Sequence, residues 1–243
     1  MRAIALDTTT RAGSVALVDD DRVVDERSGD GTRTHALRLP GEVTAIADAN
    51  GLALADVDIY AVASGPGSFT GLRIGIATVQ GFAFVHHRRL VGVPALEALA
   101  QLASRDLAPG AIVASWMDAH RHDVFAAIYR VTAAPPFTPE RIEEIEGPTV
   151  GPPGTILARW MESLDLVPSV FTGDGAVMYG EEIVRAVPSA WILPPPLLAG
   201  AIGRLAIARA QRGEDVAPAG LHPLYVRRPD VEIAREGRRP SSC

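Results

Sequence analysis

Residues 2–30 read RAIALDTTTRAGSVALVDDDRVVDERSGD, and the fold class follows from this stretch. It contains three short runs of mainly apolar residues, and Asp, Thr, Ser or Gly follows each run. Apolar runs of this length that are separated by short turns predict strands that pair antiparallel. We therefore expect the chain to begin with a three-stranded meander.

Helices and strands alternate through the rest of the first half. Leu39, Val43 and Ile46 recur at the spacing of one helix face, and Gly51 marks the end of that helix. An apolar strand in DIYAVASGPG follows and runs directly into a glycine-rich loop. The remaining elements of this half are a helix over about 71–86, a strand in RLVGV and a helix that Pro94 opens.

The second half repeats this order without repeating its sequence. AIVASWMDA and DVFAAIYRV predict two strands, and a third, less apolar segment lies at 142–145. Helical patterns cover 155–164, 178–187 and 197–212, with a strand in SVFTGDGA. The turn composition of LAPGA places a boundary near residue 108, which gives domains at 1–108 and 109–243.

A duplicated plan of three antiparallel strands followed by helix-linked parallel strands is typical of one α/β superfamily. Actin, Hsp70 and the sugar kinases share this plan, and the superfamily is abbreviated ASKHA. The sequence therefore predicts a two-domain ASKHA-like α/β fold in which each domain carries a mixed sheet.

The composition is that of a folded globular chain. The 243 residues are 47% hydrophobic and 21% charged, which provides apolar material for a sizeable core. Asp7 interrupts the only candidate for a secretory signal. The longest apolar run in a helical context, at 74–85, is shorter than the roughly 18 residues of a membrane span. We therefore expect a cytoplasmic protein that has no membrane partner.

Several chemistries lack the residues that they need. The chain contains no lysine, so a Walker-type phosphate loop and Schiff-base mechanisms are both excluded. The single cysteine is Cys243, which excludes a disulfide framework and a cysteine metal site. The formal net charge of −6 disfavours binding of nucleic acid by this chain alone, because such binding depends largely on neutralising phosphates. We expect any role with RNA to depend on a partner protein.

The loop SGPGSFTGLRIG, residues 64–75, leaves three interpretations open. Glycines that lead from a strand into a helix N-terminus expose backbone N–H groups, which can hold an anion. Ser68 and Thr70 add hydroxyls, and Arg73 adds a guanidinium. The same glycines also fit a structural turn or a contact surface. Their spacing does not match the G-x-G-x-x-G of a dinucleotide-binding fold.

The helix after this loop is apolar on two sides. Gly71, Gly75 and Thr78 share one face, and small residues on a helix face let another backbone approach closely. The opposite edge is also apolar and consists of Leu72, Ile76, Val79 and Ala83. A helix that is apolar all round must be buried. Either the chain packs tightly against its own sheet here, or one side of the helix binds a partner.

Eight segments of the chain follow one another in the order of a known family. They are AIALDTTT, GSVALV, THALRLP, ASGPGSFTGLRIG, LVGVPALEALA, WMDAHRHDVFAAIY, TGDGA and HPLYVR. These segments span nearly the whole chain, and SGPGSFTGLRIG is highly specific. On them the chain resembles the bacterial TsaB family, also called YeaZ.

The resemblance implies a non-catalytic, dimerising subunit. Members of the family belong to the machinery that places threonylcarbamoyladenosine in tRNA beside the anticodon. Their paralogue TsaD carries a metal and transfers the threonylcarbamoyl group from its adenylate. The resemblance implies that this chain binds TsaD, meets the TsaE ATPase on the assembled complex, forms a homodimer when alone and reaches tRNA only through the complex. It implies no cofactor in this chain, since ATP and metal belong to the partner subunits.

The resemblance also implies a contact surface. Two helices from each partner pair into a bundle in the family, and their counterparts here are the helices at 39–50 and 72–85. The partner-binding residues expected on them are Leu39, Val43, Ile46, Gly71, Leu72, Gly75, Ile76, Val79 and Ala83.

No catalytic or metal-binding residue is expected. TsaD carries a His-x-x-x-His pair, the spacing by which two imidazoles reach one metal, where this chain has Ala95 and Leu99. None of the six histidines offers a substitute pair. His120 and His122 fit a solvated polar hairpin better than a metal cluster.

A vestigial nucleotide loop is a further expectation. Asp7, Thr8 and Thr9 stand where the superfamily places its first phosphate loop, which needs glycine for close approach to phosphate. With Ser68 and Thr70 they form the candidate loop. The alternatives to a scaffold subunit are a degenerate ASKHA nucleotide-binding protein, a stand-alone sugar-kinase-like enzyme and a glycoprotease-like metallopeptidase.

Overall fold

The first half of the chain builds a five-stranded mixed sheet. The computed structural model describes residues 1–227, so Cys243 and the end of the predicted second domain lie outside the described residues. The strands are β1 (Arg2–Asp7), β2 (Ser14–Asp19), β3 (Arg22–Ser28), β4 (Ile59–Gly65) and β5 (Arg89–Pro94). Their spatial order is β3-β2-β1-β4-β5. The first three strands pair antiparallel and β1, β4 and β5 pair parallel, which confirms the predicted meander.

The second half builds a second sheet on the same plan. Its strands are β6 (Ile112–Asp118), β7 (Val124–Val131), β8 (Ile142–Gly151), β9 (Val170–Thr172) and β10 (Trp191–Leu193). Their order is β8-β7-β6-β9-β10, again with three antiparallel strands followed by parallel neighbours. The duplication confirms the ASKHA-like fold class.

Two helices cover the outer face of the first sheet. They are α1 (His35–Ala49) and α2 (Phe69–Val85). Both helices were predicted from their apolar spacing, and both start within two to four residues of the predicted positions. Their buried side chains pack with Ile4, Leu6 and Val62 of the sheet in one apolar cluster. Because α1 and α2 lie on the same face of one sheet, their opposite sides point outward together.

The remaining helices lie between the sheets and on the far face of the second sheet. They are α3 (Ala95–Ala103), α4 (Pro153–Ala158), α5 (Asp174–Met178), α6 (Gly180–Ala186) and α7 (Ala199–Gln211), with a π-helical turn at Arg159–Ser163 and 3-10 turns at Leu54–Asp56, Pro139–Arg141 and Pro218–Gly220. α3 contacts strands of both sheets. Within residues 1–227, no helix combines the length and apolarity that a bilayer span requires.

The predicted boundary at residue 108 falls between α3 and β6. α7 comes from the second half of the sequence but packs on the first sheet, where Gly203 lies against Val18 and Ala5. The inner faces of both sheets, α3 and α7 share one apolar cluster. The division into domains at 1–108 and 109–243 stays a prediction.

Candidate functional site

Two loops meet at the edge where β1 and β4 end. These strands are parallel neighbours, so the loops that follow them leave the sheet on the same side. The backbone N–H of Ser68 donates to the carbonyl oxygen of Thr9 at 2.9 Å. A Cβ added to Gly67, whose φ is +156°, would lie 2.6 Å from the Cβ of Thr9. The loops therefore touch directly, and a larger residue does not fit at position 67.

The glycines at the start of α2 face the same loop. A Cβ on Gly71 would overlap the carbonyl oxygen of Thr8, and a Cβ on Gly75 would overlap the Thr8 hydroxyl and lie 2.9 Å from its methyl group. Thr8 is fully buried. These glycines therefore seat a threonine of the same chain, which corrects the expectation that Gly71 and Gly75 contact a partner.

The polar groups of the candidate nucleotide loop are largely used within the chain. Oδ1 of Asp7 accepts hydrogen bonds from the backbone N–H of Thr9 at 2.9 Å and from its hydroxyl at 2.7 Å. Burial raises the pKa of Asp7 above its usual value, and the two bonds from Thr9 oppose that shift. The hydroxyl of Ser68 caps α2 by accepting from the N–H of Gly71 at 3.2 Å. Thr70 lies beside them and is exposed.

A cleft of about 840 Å³ opens next to these loops. Thr9, Ser68 and Thr70 line it from the first half, and Asp118 and Asp174 line it from the second. Asp174 accepts a hydrogen bond from the backbone N–H of Asp118 at 3.0 Å, so this carboxylate also has an internal partner. In the part of the chain that the structure describes, no group of three or more His, Cys, Asp or Glu side chains could hold a metal ion.

The turn between β6 and β7 borders the cleft. His120 and His122 are exposed there, and Nδ1 of His120 lies 2.9 Å from a carboxylate oxygen of Asp118. The residues from His120 to His122 all have a positive φ, between +57° and +64°. This arrangement is the solvated polar hairpin that the sequence favoured.

The apolar residues predicted to bind a partner lie in the core. They are each at most 4% exposed: Leu39, Val43 and Ile46 of α1, and Leu72, Ile76, Val79 and Ala83 of α2. All of them except Leu72 belong to the cluster that joins the helices to the first sheet. No partner reaches these side chains in the folded chain. The expectation is therefore corrected, because the two helices turn a different side outward.

We define the outward side of these helices as the outer helical face. Its residues are Leu37, Gly41, Thr44 and Ala45 of α1, and Ala77, Gly81, Phe84 and Val85 of α2. Leu37 is 70% exposed and Phe84 is 75% exposed. A Cβ added to Gly41 or Gly81 would meet no atom within 4 Å beyond its own stretch of helix. The face therefore combines large apolar side chains with small residues that nothing in the described chain covers.

Sequence reasoning missed this face, although a signal for it exists. Ala77, Gly81 and Phe84 follow the i, i+4, i+7 spacing of one helix side. The stripe that contains Leu72 and Ile76 already accounts for the contact with the sheet. A second stripe that carries no charge after Arg73 then indicates that the later turns of the helix have an outward apolar side.

A buried arginine that the sequence analysis did not single out fixes the start of α1. The Arg38 guanidinium donates to the Glu42 carboxylate at 2.7 Å, to the backbone oxygen of Ala12 and to Nδ1 of His35 at 2.8 Å. Nε2 of His35 lies 3.0 Å from the carbonyl oxygen of Thr10. Burial and the neighbouring Arg38 charge lower the pKa of His35, which suits a neutral ring that donates from Nε2 and accepts at Nδ1. The network ties α1 to the loop after β1.

Comparison with known proteins identifies relatives over most of the chain. Residues 29–145 match the family model of TsaD, described as tRNA N6-adenosine threonylcarbamoyltransferase. The chain is 30% identical over 240 residues to the tRNA threonylcarbamoyladenosine biosynthesis protein TsaB of Escherichia coli, with 93% of this chain and 95% of that protein covered. It is 26% identical over 164 residues to TsaB of Bacillus subtilis, with 68% and 66% covered.

Solved structures agree with the sequence relatives. The chain is similar to YeaZ from Pseudomonas aeruginosa with a TM-score of 0.71 and 30% identity, and the similarity covers 92% of this chain and 99% of that one. Both comparisons extend across the two sheets and so confirm the resemblance drawn from the eight sequence segments. The chain belongs to the TsaB (YeaZ) family.

Proposed function

We propose that the chain is a non-catalytic subunit of tRNA threonylcarbamoyladenosine biosynthesis. In this proposal it binds the catalytic TsaD paralogue and supports threonylcarbamoyl transfer to the adenosine beside the anticodon. The name of the E. coli relative supports the pathway, and the match to the TsaD family model supports a TsaD-type partner. The observation that carries the proposal is the outer helical face.

The shape of this face suits two partner helices. The first residues of α1 and α2 both line the cleft, so the two helices run in the same direction. Leu37 therefore lies towards one end of the face and Phe84 towards the other. Gly41 and Gly81 lie between these ends and leave space above the helix backbones. A partner helix approaches closest at the glycines and contacts the two large side chains at the ends.

The same face supports self-association. A two-fold axis that runs across the helices at the centre of the face places the Phe84 end of one copy over the Leu37 end of the other, so one surface meets itself. An exposed apolar face of this kind is a liability for a monomer. We therefore propose a homodimer when the chain is alone, and mutually exclusive binding of a second copy or of TsaD.

The chemistry of the loops supports a scaffold role. Asp7, Thr9 and Ser68 bond within their own loops, and Thr8 fills the space beside the α2 glycines. We assign ATP and metal to the partner subunits, with the TsaE ATPase acting on the assembled complex. tRNA is reached through that complex, in the cytoplasm.

Weak nucleotide binding is the second candidate, and the cleft is the observation in its favour. Its volume of about 840 Å³ lies within the usual range of small-molecule sites. Calorimetric titration of ATP into the pure protein tests this candidate, and a saturable heat that Thr70→Ala weakens would support it.

Co-purification with the TsaD paralogue from the same organism, followed by a tRNA modification assay, tests the main proposal. We expect a stable complex, and modification that falls to background when this chain is left out. Full modification by TsaD and the other subunits without this chain would refute the proposal. The variant Gly81→Glu, discussed below, connects the complex to the outer helical face.

A further inference from the structure

Residues 216–227 form a strap that runs from the first sheet to the second half of the chain. Val216 pairs with Leu90 of β5 through two backbone hydrogen bonds of 2.9 and 3.0 Å. The Leu221 side chain then lies over the sheet edge, where a Cβ added to Gly92 would be 2.5 Å from its Cδ1. The strap therefore begins as an extension of the first sheet.

The middle of the strap holds one flank of α2. The Gln80 side chain donates to the carbonyl oxygens of Pro218 at 2.8 Å and Leu221 at 3.2 Å. The backbone N–H of Leu224 donates to the carbonyl oxygen of Ser64 at 2.7 Å, at the start of the glycine-rich loop. These bonds connect the strap to both the middle and the entrance of the helix.

An arginine beside two aromatic rings lies on the same flank. The guanidinium of Arg73 lies 3.9 Å from the ring centroid of Phe69 and 5.8 Å from that of Tyr225. Its Nε donates to the Tyr225 hydroxyl at 2.8 Å, and the two rings are 5.0 Å apart. Arg73 and Gln80 are seven residues apart, so they share one side of α2. The strap therefore holds the first three turns of the helix along one line.

The end of the strap reaches the second half of the chain. Arg227 donates to the carbonyl oxygen of Ala119 at 2.8 Å and pairs with the Asp123 carboxylate. Both acceptors lie in the turn between β6 and β7. One short segment thus touches α2 and, two residues later, the polar hairpin across the cleft.

We propose that the strap positions α2, and with it the outer helical face, relative to the second half of the chain. In this role Arg73 and Tyr225 are positioning residues on the helix side, and Arg227 is the anchor on the other side. The step from α2 to a protein partner rests on the proposed function. The positioning of α2 itself does not.

Hydrogen–deuterium exchange of the full chain tests the positioning directly. In Tyr225→Ala, the loss of the ring contact and of one hydrogen bond should speed exchange of the α2 amides between residues 72 and 80 about tenfold. In Arg227→Ala the same amides should exchange about threefold faster, although Arg227 does not touch α2. Trp191→Ala is the matched control, because Trp191 is a 70% exposed aromatic residue on β10.

A conservative variant separates positioning from general stability. Tyr225→Phe keeps the ring beside Arg73 and loses only the hydroxyl, so most of the protection of α2 should return. Unchanged α2 exchange in Tyr225→Ala would overturn the proposal. A uniform rise across both sheets would overturn it as well, since that pattern reports only lower overall stability.

The same variants test the effect of the strap on partner binding. Tyr225→Ala should weaken binding to the TsaD paralogue about tenfold, whereas Trp191→Ala should bind normally. Faster exchange of the α2 amides together with unchanged affinity for the TsaD paralogue would refute the proposal that the strap affects partner binding. If the unaltered chain fails to bind TsaD, the proposed function fails, and the exchange data still decide the positioning of α2.

Discussion

Gly81→Glu should change folding and association in opposite directions. Gly81 is inside α2 with open space around its Cα, so a side chain there meets no other part of the described chain. Glutamate has a higher helix propensity than glycine by roughly 0.5–1 kcal/mol at an exposed helix position. For a chain of this length that gain raises Tm by about 1–4 °C.

Association should respond the other way. Position 81 lies between the Leu37 and Phe84 ends of the outer helical face, and the one arginine of α2, Arg73, lies eight residues earlier and is held by Phe69 and Tyr225. An unpaired charge buried at an interface costs roughly 2–5 kcal/mol, which weakens association between about 30-fold and several thousandfold. Sedimentation measures the homodimer, and co-purification measures the complex with TsaD.

Two further variants make the comparison strict. Ala186→Glu adds the same charge to an exposed small position on α6 and should leave both assays unchanged. Ile76→Glu puts the charge at a core position that is 4% exposed, and this variant should unfold. Gly81→Glu that associates normally would refute the role of the outer helical face. A clear loss of Tm in Gly81→Glu would show that this side of α2 is covered by the chain itself.

Three other outcomes follow from the loops. Gly75→Ala should lower the free energy of unfolding by roughly 1–3 kcal/mol in denaturant titrations, because its Cβ overlaps the Thr8 hydroxyl, and adding Thr8→Ala should recover at least half of the loss. Burial raises the folded-state pKa of Asp7 above its usual value of 3.8. As the pH rises from 3.8 through that raised pKa, the free energy of unfolding of the unsubstituted protein should fall relative to that of Asp7→Asn. Parallel curves of unfolding free energy against pH for the two proteins would contradict the raised pKa of Asp7. The pure protein should hydrolyse neither ATP nor peptide, with or without added metal, and turnover that follows the protein peak through repeated purification would count against a scaffold role.

The sequence predicted the elements whose pattern is local. The meander, α1, α2 and α7 follow from apolar spacing within each segment. β10 has three residues and was missed, whereas β9 is equally short and was predicted because a glycine turn follows it. The predicted helix at 178–187 corresponds to α6, whereas the short helix α5, which begins at Asp174 and is separated from α6 at Tyr179, was missed. Short elements depend on contacts with distant strands, which one sequence does not reveal.

The candidate site also depends on contacts between residues that are distant in the sequence. Periodicity identified two stripes on α2, one with Gly71 and Gly75 and one with Leu72 and Ile76, and the structure buries all four of these residues. The buried stripe with Ile76 has large hydrophobic side chains, whereas the outward stripe has small residues at Ala77 and Gly81. The role of Gly75 could not be predicted at all, because its neighbour Thr8 is 67 residues away in the sequence. Only the pairing of β1 with β4 brings them together.

The loop after β1 and the strap constrain α2 from two directions. Thr8 is packed against the helix at Gly71 and Gly75, and the strap holds it at Arg73 and Gln80. Thr8 fills the space beside Gly71 and Gly75, and the carbonyl oxygen of Thr9 accepts a hydrogen bond from the N–H of Ser68. The glycine-rich loop therefore holds the start of α2 against the loop after β1. Because that helix carries half of the outer helical face, a change at Thr8 should alter association even though Thr8 is fully buried and touches no partner.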